Sequence, residues 1–145
     1  MSYFCIQPPQ KEQEWQAYFD LRFRVLRLPW KQPRGSERDE LEEVAMHAAL
    51  WLNKELIAVG RAHWQEKEIA QVRYMAVEPA HQGKGYGAYI LHYLEAKVKI
   101  DGGKTVRLNA RENALRFYEN NGYKIIGAGA KLYGVIPHFK MEKHL

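Results

Sequence analysis

Apolar and polar positions follow two periods along this chain. Over residues 11–26, Trp15, Tyr18, Phe19, Leu21, Phe23, Val25 and Leu26 form a broad stripe among charged residues, which predicts an amphipathic helix. A short strand precedes it at residues 3–7, stopped by Pro8 and Pro9, which cannot continue a ladder. Two prolines and a glycine around Trp30 make residues 28–36 a loop, a setting that often carries specificity. The acidic residues 37–43 then read as a short helix capped by the Ser36 hydroxyl. Strand-like runs at 45–52 and 56–64 are joined by Asn53, Lys54 and Glu55 as a hairpin. A second tight connection leads into Ile69–Val77, so three consecutive antiparallel strands form the centre of a sheet.

The pattern changes at residues 82–87, Gln82-Gly83-Lys84-Gly85-Tyr86-Gly87, a glycine turn between that third strand and a helix marked by Tyr86, Ile90, Tyr93, Leu94 and Val98. Asp101, Gly102 and Gly103 end the helix, and residues 104–109 read as a strand. A second helix follows at 112–121, with Gly122 as its left-handed stop, then a strand at 123–126, a glycine-rich loop at 127–130 and a last strand at 136–143. Antiparallel strands followed by a strand–helix–strand crossover predict an α/β fold with a mixed sheet.

Composition narrows the picture. The 145 residues, 46% hydrophobic, suffice for one core, and with no repeat or linker the expectation is a single domain over residues 1–145. The net charge of +5 is scattered, which suits a small anionic ligand and argues against nucleic acid, whose binders cluster their basic residues. Cys5 is the only cysteine, which excludes an intrachain disulfide and a thiolate zinc cluster and fits a reducing compartment. The start of the chain lacks the basic and apolar regions of a secretory signal, and no run reaches the length of a membrane span, so a cytoplasmic location is expected.

The glycine turn carries the chemistry. Alternate glycines let the backbone take positive φ and approach a ligand without a Cβ in the way. The helix it opens presents N–H groups without intrahelical partners and the positive end of its macrodipole, the requirement for holding phosphate, and Lys84 adds a mobile charge. The spacing is neither the dinucleotide fingerprint G-x-G-x-x-G nor the loop G-x-x-x-x-G-K-[ST], which speaks against a nucleotide-binding protein of another fold.

Gln82, Gly85 and Gly87, with Val77 and Pro79 upstream, resemble the pyrophosphate signature [QR]-x-x-G-x-[GA] of the GNAT acetyltransferase superfamily. A second segment, Ala114-Leu115-Arg116-Phe117-Tyr118 with Gly122 and Tyr123, is similar to that superfamily's A-x-x-[FL]-Y-x-x-x-G-[FY]. The resemblance implies a strongly twisted mixed sheet of six or seven strands, splayed between Ile69–Val77 and residues 104–109, with helices on both faces. It implies acetyl-CoA as donor, with the pantetheine arm beside Met75, Ala76 and Val77 and a backbone N–H of Met75 or Ala76 as oxyanion donor. Gln82, Gly83, Lys84, Gly85, Tyr86 and Gly87 would hold the pyrophosphate, Asn109 or Asn113 would contact the cofactor, and Tyr118 would be the general acid. Two departures stand out: Arg111 replaces an asparagine common in the family, and Tyr133 stands where a glutamate is frequent in the ElaA/YjcF-like branch, whose P-H-x-x-M ending the segment Pro137 to Met141 resembles.

The function so implied is transfer of an acetyl group to a primary amine; the alternative is a non-catalytic acyl-CoA-binding sensor or interaction module, in which a phenol at Tyr118 would have no task. The expected partner is a small-molecule or peptide amine, with no nucleic acid and no membrane, and a homodimer stays open because dimers are common in such families. Polyamine, aminoglycoside, amino acid and protein lysine all remain open as acceptors, though the acids of 37–43 point to a cationic amine. His138, in the last strand, can take a proton at neutral pH, whereas His47 and His63 read as structural. No H-E-x-x-H pattern occurs, and no metal is expected.

Overall fold

The computed structural model describes residues 3–145; Met1 and Ser2 lie outside the described residues. Seven strands form one sheet in the order β1-β2-β3-β4-β5-β7-β6: β1 Phe4–Gln7, β2 Met46–Leu52, β3 Glu55–Glu66, β4 Ile69–Val77, β5 Thr105–Arg111, β6 Lys124–Ala128 and β7 His138–His144. Every neighbouring pair is antiparallel except β4 and β5, which the crossover helix α2 (Tyr86–Ile100) joins in parallel. The β2–β3 turn places Asn53 and Lys54 at φ 51° and 71°, the two left-handed positions of a type I′ hairpin, which an asparagine enters readily.

Period-two alternation sends side chains to two faces. Ala48, Leu50, Ile57 and Ala62 face α2, where Ile90, Leu91, Leu94 and Val98 are fully buried. Ala49, Leu56, Val59 and Ala76 face the other way, against Tyr18 and Leu21 of α1 (Glu12–Arg22). Strand β3 is therefore buried continuously from Leu56 to His63. The third helix, α3 (Leu115–Asn120), lies on the α2 side with Phe117 and Tyr118 against the same core.

Two expected helices differ. The helix expected over 11–26 is α-helical only to Arg22 and continues as a π-helical turn, Phe23–Arg27, followed by a short 3-10 turn, Leu28–Trp30. The wider turn carries Val25, Leu26 and Arg27 to the wall of the central cavity.

Residues 37–43 form no helix but a series of turns, because their carboxylates are drawn inward to buried arginines. Asp39 receives Arg61 Nη1 and Nη2 at 2.6 and 3.0 Å, and Glu42 receives Arg61 Nη1 at 2.9 Å and Arg22 Nη1 at 3.0 Å. The Ser36 hydroxyl donates to the Pro33 carbonyl instead of capping a helix.

Strand ends move by a few residues. Strand β5 continues to Arg111 because β7 pairs with it as far as His138, and β6 enters the expected 127–130 loop because Gly127 and Ala128 pair with Lys140 and Phe139. The helix expected at 112–121 begins as a 3-10 turn, Glu112–Ala114. The Ile69–Val77 strand is observed with the expected ends.

Candidate active site

The site begins where the sheet opens. Strands β4 and β5 pair only at Ile69–Thr105, Ala70–Val106 and Gln71–Arg107, yet β4 runs on to Val77 and β5 to Arg111. Beyond Gln71 the β4 edge that faces β5 has no ladder partner among the described residues, and its N–H and C=O groups can bind an extended ligand, as an exposed strand edge does.

A bulge re-aims that edge. The register passes from Val59–Ala76 to Arg61–Arg73, so Gly60 alone opposes Tyr74 and Met75, and Tyr74 takes a left-handed φ of 59°. Gly60 is required there: a Cβ would lie 2.5 Å from Ile90 Cγ2 and 2.7 Å from Met75 Sδ. The Tyr74 ring is itself enclosed by the guanidinium carbons of Arg22, Arg73 and Arg61 at 4.4, 4.5 and 4.9 Å.

The opening is a cavity of about 1100 Å³, large enough for a ligand of cofactor size. Met75, Ala76, Val77, Gln82, Gly83, Gly85, Tyr86, Gly87, Asn109, Asn113, Tyr118 and His138, all proposed from sequence, line it. Lys84 lies in the turn, exposed, and does not line the cavity. His47 and His63 are elsewhere, each buried beside the Arg61 network, where desolvation lowers their pKa below the usual histidine range.

The glycine turn fits a pyrophosphate. Gly83 and Gly85 have φ of +78° and +89°, and a Cβ on either would meet nothing within 4 Å, so the space beside the turn is open. The first helical bond at this end runs from Tyr89 N–H to the Gly85 carbonyl, 3.4 Å, which leaves the N–H groups of residues 86–88 without a helical acceptor. The Gln82 side chain braces the turn by donating to the Val77 carbonyl at 3.1 Å.

Two groups can move protons. Tyr118 packs edge-on against Phe117 and Tyr123 at 5.0 and 5.8 Å, and burial pushes its phenol up to about 12, so it stays protonated at neutral pH. His138 Nδ1 lies 3.1 Å from the Ile136 carbonyl, which can only accept; Nδ1 therefore carries hydrogen, and in the neutral ring Nε2 keeps its lone pair.

The sequence reading missed Val25, Leu26, Arg27, Arg73, Lys131 and Leu132 as cavity residues. No local motif marks them: the π-helical turn and the β6–β7 connection bring in Val25, Leu26, Arg27, Lys131 and Leu132 from segments far apart in the chain, and Arg73 comes in on β4 itself, beside the bulge. The acids of 37–43 do not line the cavity; Glu37, Glu42 and Glu43 border a separate depression of about 950 Å³ on the outer side of α1.

A seven-stranded sheet that splays beside a glycine turn defines a coenzyme A-binding acyltransferase architecture, and comparison with known proteins agrees with it. Residues 44–125 match the acetyltransferase (GNAT) domain, and the chain belongs to that family. It is 29% identical to the uncharacterized N-acetyltransferase YjcF of Bacillus subtilis strain 168 over 136 residues, 92% of this chain and 95% of that protein. In structure it is similar to Escherichia coli ElaA (TM-score 0.81, 20% identity, 99% of each chain). It is also similar to an aminoglycoside 6′-N-acetyltransferase complexed with coenzyme A (TM-score 0.82, 21% identity, 98% of this chain and 96% of that one). Family membership supports acyl transfer from a coenzyme A thioester.

Proposed function

We propose that the protein transfers an acetyl group from acetyl-CoA directly to a primary amine, with Tyr118 as general acid and His138 as general base. The observation that carries this reading is the convergence of the open β4 edge, the glycine turn, the Tyr118 phenol and His138 on one cavity. When bound, acetyl-CoA supplies a thioester whose carbonyl is open to attack by a neutral amine.

The chain's own groups do the rest. Gln82 to Gly87 hold the pyrophosphate through backbone N–H groups, and the β4 edge at Met75 to Val77 aligns the pantetheine arm. A backbone N–H at the bulge stabilises the carbonyl oxygen as it gathers charge, which favours the transition state over the ground state. His138 Nε2 takes the proton from the attacking nitrogen as the N–C bond forms, and Tyr118 gives its proton to sulfur as the C–S bond breaks.

The test is an acceptor screen with acetyl-CoA that follows free thiol and acetylated product together. Amine-dependent thiol release, matched by product, is expected. Tight acetyl-CoA binding with no turnover on any amine would leave a binding module in its place.

A further inference from the structure

The cavity that holds the candidate site has no acid in its wall. Arg27, Arg73, Arg111 and Lys131 line it, with His81 and His138, and neither aspartate nor glutamate does. Of the four cations only Arg73 has a carboxylate among the described residues, Asp39 at 3.0 Å. Arg27 is 7% exposed; its Nε and Nη1 donate to the Ser36 and Leu26 carbonyls at 2.9 and 3.2 Å, and its Nη2 donates to no group among the described residues. Arg111 is half-buried and its side chain makes no hydrogen bond or ion pair among the described residues, lying 5.6 Å from the Trp30 ring.

Uncompensated, desolvated cations are costly, and two arginines close enough to repel one another more so. Burial lowers the Arg111 pKa and the Arg27 charge lowers it further, while Tyr133 acts in the opposite sense. Tyr133 lies against Arg27, ring to guanidinium 5.9 Å, and its hydroxyl is buried without a partner among the described residues.

These groups and the glycine turn line one cavity but have different neighbours. Tyr86 of the turn packs against Phe4 and His81, whereas Arg27 and Arg111 reach the 27–36 segment and Tyr133 of the β6–β7 connection.

We propose that Arg27 and Arg111 form the acceptor subsite and select an amine that also carries an oxyanion, carboxylate or phosphate, so that the substrate is an acidic amine rather than a polycation. The inference rests on the acyl-transfer reading and names the substrate class for it. Planar guanidinium forks match either oxyanion in bidentate geometry, and one bound anion offsets both charges. Polyamines and aminoglycosides would meet repulsion at the same place.

Transfer to β-alanine, its carboxamide, phosphoethanolamine and spermidine is compared, together with calorimetric binding of N-acetyl-β-alanine, N-acetylphosphoethanolamine and the neutral N-acetyl-β-alaninamide to CoA-saturated protein. An oxyanion-bearing amine is expected to exceed its neutral counterpart in kcat/KM by about 10–100-fold, as for hydrogen bonds to a charged group, with the two oxyanion arms telling carboxylate from phosphate. Arg111→Gln should abolish that preference while CoA affinity holds; Arg111 has no structural hydrogen bond to lose, and Arg27→Lys, retaining charge but not the fork, should weaken it. Selective anion binding without transfer to any amine would keep the subsite and remove the acyl-transfer reading. Equal or better transfer to spermidine or the carboxamide, no binding of either anionic product, or an Arg111→Gln protein that loses CoA affinity but keeps its acceptor preference would each overturn the proposal.

Discussion

His138 donates from Nδ1 to the carbonyl of Ile136, 3.1 Å away and two residues earlier in the chain, and this single bond fixes which ring nitrogen is available for chemistry. His138 lines the cavity, and in its neutral ring Nε2 is the nitrogen left to act as a base. His138→Gln should lower kcat by about 10²–10⁴-fold, the usual contribution of a general base, and leave acetyl-CoA affinity unchanged. Steady-state kinetics with an acceptor of verified turnover decides it. A variant with full kcat would move the base to water or to another group.

The glycine turn makes a second prediction. At Gly85, φ +89°, a Val side chain would enter the open space beside the turn and would also strain the backbone. Gly85→Val should weaken acetyl-CoA binding by at least about tenfold, or roughly 1.4 kcal/mol. Gly102→Val is the control, since Gly102 has φ +95° and equally empty surroundings but lies past the far end of α2. Both should lose stability from strain, and only the first should lose ligand. Calorimetric affinity equal to wild type in a folded Gly85→Val protein would exclude the cradle.

The two turns differ in how openly the sequence announces them. The glycine turn and the Ile69–Val77 strand are legible because glycine, proline and alternating apolar residues act locally, within a few positions of where they sit. The segment 37–43 is not, because its conformation is set by partners such as Arg61, 22 residues from Asp39 in the chain, whose guanidinium sits in an otherwise apolar strand run. The bulge at Tyr74 and the acid-free wall of Arg27, Arg111 and Lys131 likewise arise only once distant segments meet. Local pattern therefore reveals the glycine turn and the open strand beside it, and the cationic wall depends on tertiary structure.

The Asp39–Arg61 pair predicts a pH dependence of stability. Burial raises the cost of the Asp39 carboxylate, but the Arg61 hydrogen bonds, the Leu41 N–H and the Arg61 and Arg73 charges outweigh it and bring its carboxyl down to about 2 from an ordinary 3.8. A carboxyl depressed on folding stabilises the fold above its unfolded pKa and loses that contribution as pH falls through the folded value, here between about pH 4 and pH 2. Asp39→Asn should cost about 3 kcal/mol at pH 7, the low end for breaking a buried pair, because Glu42 still holds Arg61. The gap between variant and wild type in denaturant unfolding should narrow over that acid window. A gap that is constant with pH would assign the loss to packing instead of charge.

Gly60 links the core to the site. Because Ile90 Cγ2 and Met75 Sδ stand 2.5 and 2.7 Å from where its Cβ would be, Gly60→Ala should cost about 1–3 kcal/mol by overpacking. Met75 belongs to the β4 edge, so relief of the clash should displace that edge and raise the KM for acetyl-CoA as well. Denaturant unfolding and donor kinetics on the same preparation test both effects. An unchanged KM beside a real stability loss would separate the bulge from the donor site.

Tyr118 carries the prediction on which the catalytic assignment turns. Its ring is fixed by edge-on contacts with Phe117 and Tyr123, so Tyr118→Phe keeps the packing and removes only a hydroxyl that has no hydrogen-bond partner among the described residues. Stability and acetyl-CoA affinity should therefore stay near wild type, while kcat falls by about 10²–10⁴-fold if the phenol protonates the departing sulfur. Burial holds the phenol at about 12, which adds a second signature: the proton remains available across the range where most enzymes work, so kcat should show no loss from Tyr118 ionisation until the pH approaches that value. A phenol merely filling the core would leave kcat untouched on conversion to Phe, and that outcome, seen across a pH series with a verified acceptor, would assign the proton to solvent and return Tyr118 to a packing role.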